Sequence, residues 1–168
     1  KFDQSVVPGN VELQVGRVDF NGMPSFTLTE QQLLQNYLNK NHEYRKKIFA
    51  PNKQAVIDDN FGYFNSEAFA ASGYKNFAPL VGSSNILAAD YFTSLTANSY
   101  LWSYGCGGGT YNSAGGIGTT ANFASANLKG VFTMIFGSYF GDWDSQDNFL
   151  KAPLAQSKVL TNVWSGRP

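Results

Sequence analysis

The one cysteine of this chain, Cys106, stands in SYLWSYGCGGGTYNSAGG, at the end of an apolar, aromatic run and the mouth of a glycine-rich loop. A thiol so placed is a candidate nucleophile, because a neighbouring base or a helix N-terminus lowers its pKa well below about 8.5. The alternative is a buried small residue, since free cysteine is among the most buried residue types. The one imidazole, His42, falls one turn after Leu38 in an amphipathic segment. That position suits the outer face of a helix better than a place within roughly 3 Å of a strand-end thiol, which a general base requires. Asp142, Asp144 and Asp147 in GDWDSQD are oxygen donors of the kind that hold a hard cation such as calcium. The segment lacks the glycine and distal glutamate of an EF-hand loop, and helix capping by Asp144 accounts for the pattern more economically. A nucleotide cradle is disfavoured: counting from Gly105, the last glycine of a dinucleotide fingerprint is replaced by Thr110, and no Gly-Lys-Ser/Thr follows any glycine cluster. The glycines instead let the backbone turn tightly and pass close to its neighbours.

These groups need elements to position them. VELQVGRVDF alternates around β-branched residues up to an Asp-Phe-Asn-Gly turn and reads as a strand. TLTEQQLLQNYLNKNHEYRKK reads as a helix, opened by a capping box from Thr29 and Gln32 or Thr27 and Glu30. Leu33, Leu34, Tyr37, Leu38 and Tyr44 repeat at helical spacing, and Lys46 and Lys47 suit its C-terminal dipole. KQAVIDDNFG reads as a buried parallel strand ending in Asp58 and Asp59. SEAFAASGY reads as a short helix, and the Pro79-containing stretch after it stays open. SYLWSYG, GVFTMIFGSYFG and KVLTNVWSG read as strands, with helices over TTANFASA and DSQDNFLKAPLA between them. Alternation of strand and helix implies a three-layer α/β sandwich around a mostly parallel sheet. Function in such sheets gathers at the carboxyl ends of strands, which here carry Asp58, Asp59, Gly105, Cys106, Gly107 and Ser138, with Asp142 and Asp144 just beyond.

Length and composition narrow the classes. The 168 residues suit one domain over 1–168. Twelve basic and twelve acidic residues cancel, and no like-charge run exceeds Arg45-Lys46-Lys47, so neither a nucleic-acid face nor an anionic-membrane patch is expected. Charged residues are 14% of the chain against about 25% in average domains, and Gly, Phe and Tyr are abundant, a profile that fits an extracellular or cell-surface protein. A lone cysteine leaves the redox compartment undetermined. No apolar run approaches the roughly 18 residues of a membrane span. The opening KFDQSVVPGN has neither initiator Met nor signal-type region, and the end WSGRP follows a strand directly, so the expectation is a processed piece of a larger protein whose other segments are its first partners.

Read in order, the blocks VELQVGRVD with LLQNYLNKNHEYRKK, AVIDDNFG, YLWSYGCGGG, VFTMIFGSYFGDWD and TNVWSGRP resemble the gingipain-type cysteine peptidases of the caspase-like α/β fold. The resemblance places Cys106 where that family has its catalytic histidine and Ser138 where it has its cysteine nucleophile. It therefore implies an inherited pocket with both catalytic groups replaced. Side chains leaving neighbouring strands about 4.8 Å apart can still meet, but a hydroxyl needs a general base and a neutral thiol is no substitute. The expectation is a pseudopeptidase with a structural or binding role. The alternative is an active thiol peptidase using Cys106, which the nearby carboxylates oppose by raising the thiol pKa. Asp58, Asp59, Tyr104, Gly105, Gly107, Tyr139 and Trp143 would form the rim of the site. Tyr104, Tyr111, Tyr139, Trp143 and Trp164 raise the further prospect of a peptide or glycan ligand. No cofactor is expected beyond the calcium considered above.

Overall fold

The computed structural model describes residues 16–64, 67–155 and 158–164. Five strands, β1 (Ala55–Asp59), β2 (Ile86–Ala88), β3 (Tyr100–Cys106), β4 (Gly130–Phe136) and β5 (Thr161–Trp164), form one sheet in the order β2-β1-β3-β4-β5. Every pairing in it is parallel. Ala55, Val56 and Ile57 are almost wholly buried, as expected of a parallel strand covered on both faces. The pleat then divides the core in two. Val56 and Ile135 join Leu33, Tyr91, Leu95, Phe123 and Phe149 in one cluster. Ala55, Ile57, Tyr104 and Cys106 join Phe69, Phe77 and Val81 in the other. The first cluster takes residues from α1 (Glu30–Arg45), α3 (Tyr91–Ala97), α4 (Thr120–Ser125) and α5 (Ala152–Ala155), and the second from α2 (Ala71–Val81). The result is a three-layer α/β sandwich.

Helix α1 starts where its capping box predicts: Thr29 accepts from the Gln32 backbone N–H at 3.3 Å, and the Thr29 N–H donates to the Gln32 side chain at 2.9 Å. Its inward side differs from the expected leucine stripe. Leu33 and Lys40 are buried while Leu34 and Leu38 are 42% and 51% exposed. The Tyr37 hydroxyl and the Lys40 side-chain nitrogen donate to the carbonyls of Leu160 and Leu154, so polar tips join Leu33 in docking the helix.

Three expected elements are changed. Residues 16–20 form no strand, because Asp19 binds Arg17 at 2.8 Å and accepts from the Asn21 N–H, closing a local turn; residues 11–15 lie outside the described chain. In place of a helix over 66–74, Glu67–Ala68 pairs with Tyr63–Phe64, and α2 begins at Ala71 and continues through Pro79; Ser66 is outside the described chain. The helix expected over 144–155 is a series of turns until Ala152. There the fully buried Asn148 donates to the Phe140 and Asp142 carbonyls and to Ser145, and accepts from the Leu150 N–H. That side chain outcompetes helical hydrogen bonding locally.

Candidate functional site

Strand order reverses between β1 and β3, so the crevice of such a sheet is expected beyond their carboxyl ends. Asp58 and Asp59 of β1 stand in register with Gly105 and Cys106 of β3. Because adjacent residues point to opposite faces, the two aspartates part company. Asp58 turns toward α3, accepting from the Tyr91 N–H at 2.8 Å and from the Asn60 side chain at 2.8 Å. Burial raises its pKa, partly offset by those two hydrogen bonds. Asp59 turns toward Cys106: the thiol donates to its Oδ1 at 3.2 Å, and the same oxygen accepts from the N–H groups of Phe61 and Gly62.

The thiol is fully buried. Phe69 belongs to the same cluster, and Phe61 and Phe136 pack against it, the three ring centroids 4.8 to 6.1 Å apart. Burial first, then the hydrogen bond and negative charge of Asp59, push the Cys106 pKa up to about 12. A nucleophilic cysteine needs the opposite shift. His42 is exposed near the end of α1, and the hydrophobic cluster around Cys106 takes no residue from that helix.

Ser138 lies two residues beyond Phe136, the β4 partner of Cys106, and is exposed. Its backbone is pressed against the glycine loop: a Cβ on Gly109 would sit 2.2 Å from the Ser138 carbonyl oxygen. The loop also closes over the end of β3. A Cβ on Gly107 would meet the Gly115 carbonyl oxygen at 1.9 Å, and one on Gly105 would meet Ile117 at 2.8 Å. Residues 107–119 thus fold back, as three short antiparallel strands, onto the strand ends where a substrate would enter. The glycine-rich composition follows from main chain packing on main chain.

The remaining rim residues separate by exposure. Tyr104 is buried, its hydroxyl donating to the Phe69 carbonyl at 2.9 Å, and is not a surface group. Tyr111 and Tyr139 are 50% and 60% exposed, with ring centroids 5.7 Å apart. Trp143 and Trp164 border a different feature, an open groove of about 680 Å³ beside β5 that also includes Tyr37, Lys151 and Asn162. Arg17, not singled out by sequence, lies 3.4 Å above the Trp143 ring there. A basic residue in a segment read as a strand gave no sign of that contact. Of the acidic trio, Asp147 is committed to structure, accepting from both the N–H and the hydroxyl of Ser25 at 2.9 Å. Among the described residues no group of three or more His, Cys, Asp or Glu side chains is arranged to hold a metal ion. Nor is any described helix long and apolar enough to cross a membrane.

No family model, no curated protein and no solved structure matches this chain.

Proposed function

We propose that this chain is a catalytically degenerate peptidase domain of gingipain type, serving a secreted or surface protein through binding or scaffolding rather than hydrolysis. The family reading rests on the order of the sequence blocks; the last four supply strands β1, β3, β4 and β5 of the parallel sheet, while the described residues of VELQVGRVD supply none. The observation that carries the inactive reading is the state of Cys106. A buried thiol that donates to a carboxylate and keeps its proton to about pH 12 has neither the charge nor the access that attack on a carbonyl requires. The infolded glycine loop supports the same reading, because it lies where the peptide would have to pass. The exposed pair Tyr111 and Tyr139 supports recognition as the role the surface can still perform.

The test is exposure of the native chain to peptidyl acyloxymethyl ketones of varied sequence, followed by mass spectrometry of the Cys106 peptide. The expected result is modification only after unfolding. Labelling of the folded chain faster than that of free cysteine, and lost in Cys106→Ala, would restore the thiol peptidase.

A further inference from the structure

We infer that Tyr111 and Tyr139 form a stacking platform for a neutral saccharide, which gives the binding role proposed above a ligand class. Two loops converge to present these rings, and both are rigidly tied. The Tyr111 carbonyl accepts from the Phe149 N–H at 2.9 Å, and that of Asn112 from the Thr120 N–H at 2.9 Å. On the other side the Gly137 carbonyl accepts from the Trp164 indole at 2.7 Å, and the Tyr139 carbonyl from the Asp142 N–H at 2.9 Å. The rings are tilted by 55° and each keeps at least half of its surface in solvent.

Tyr139 has φ +69°, a left-handed conformation in which a bulky side chain is strained and glycine or asparagine is at ease. Neither burial nor a core contact explains an aromatic residue there, since the ring projects outward. Strain held at an exposed aromatic side chain is a mark of function rather than of folding.

The surroundings select the ligand. Residues 107–119 contain no charged side chain, and no Lys or Arg occurs from 76 to 128, which disfavours phosphate, nucleic acid and acidic glycans. Thr110, Asn112 and Ser113 add exposed or half-exposed hydroxyl and amide groups beside the rings, and the exposed carboxylate of Asp142 can accept from sugar hydroxyls. A peptide that binds by adding a strand would need a free edge, but the neighbouring edge strand Gly109–Thr110 is pressed on Ser138. An aromatic face beside neutral polar groups fits the C–H face and hydroxyls of a pyranose.

The experiment follows backbone amide shifts of the ¹⁵N-labelled chain during titration with neutral hexasaccharides: cello-, manno-, malto- and chitohexaose. A random-peptide pool is titrated in parallel. The expected result is saturable binding of at least one hexasaccharide, with the largest shifts at residues 110–112 and 138–140. Affinity should fall about tenfold or more in Tyr111→Ala and in Tyr139→Asn, a variant suited to the left-handed backbone, and recover in Tyr139→Phe. The inference is overturned if no hexasaccharide moves these amides at about 5 mM, if Tyr139→Asn binds like the parent chain, or if only the peptide pool shifts them. Inert Cys106 without saccharide binding would sink this inference alone. Reactive Cys106 with intact saccharide binding would sink only the inactive reading.

Discussion

At pH 8 the folded chain should alkylate at Cys106 far more slowly than an ordinary cysteine, and the size of the effect follows from two features. Raising the thiol pKa from 9.0 to about 12 lowers the thiolate fraction at that pH about a thousandfold. Full burial adds the need for an opening event before any reagent arrives. Iodoacetamide with mass-spectrometric readout gives the rate, and the same chain in denaturant supplies the reference. The native rate should lie at least about three orders of magnitude below it. Removing the charged acceptor in Asp59→Asn should speed the reaction only modestly, about tenfold, because burial is the larger cause of the shift. The same shift governs stability at high pH. Between 9.0 and about 12 the native thiol keeps a proton that the unfolded chain has lost, so stability falls as pH rises, by up to about 1.4 kcal/mol per pH unit. It is fully present below 9.0, and Cys106→Ala should abolish this part of the decline. A native alkylation rate within about tenfold of the reference would refute the assignment of a buried, carboxylate-bonded thiol.

Gly107→Ala should cost roughly 3 kcal/mol or more in urea denaturation, since its Cβ would meet a carbonyl oxygen at 1.9 Å, whereas Gly108→Ala, with nothing within 4 Å, should be nearly neutral. Lys40 should leave a signature of opposite sign that begins at lower pH. Burial, with a smaller contribution from the Lys158 charge, pushes its pKa from 10.5 down to about 7. In that window the unfolded chain binds the extra proton, so stability should rise with pH from about 7, by up to about 1.4 kcal/mol per unit. Lys40→Met should flatten the rise in denaturation curves taken from pH 6.5 to about 9, the range below the Cys106 decline.

Much of the sheet was legible from sequence because buried parallel strands announce themselves as short apolar runs. AVIDD, YLWSYG and GVFTMIF became β1, β3 and β4 for that reason. The Thr29 and Gln32 box was legible because capping is local chemistry. What escaped depends on long-range partners. Lys40 turns inward only because the Leu154 carbonyl awaits it, and the turns after Asp144 exist because Asn148 finds carbonyls at Phe140 and Asp142. At the site, sequence order set Asp58 and Asp59 side by side near a thiol. Which of the two would face it depends on the register of β1 on β3, and chain order does not carry that information. The infolding of residues 107–119 was foreshadowed by the glycines, but not the surfaces they would meet.

The contact between residues 107 and 115 decides which of its two sides can vary. A side chain at 107 is shut out by the Gly115 carbonyl oxygen, 1.9 Å from its Cβ, while one at 115 would meet the Gly108 carbonyl oxygen at 3.3 Å. A change at 107 therefore requires the facing main chain to shift first, whereas one at 115 needs only a small adjustment. Tolerance to substitution along this loop is thus set position by position, by the main-chain atom that each α-carbon faces.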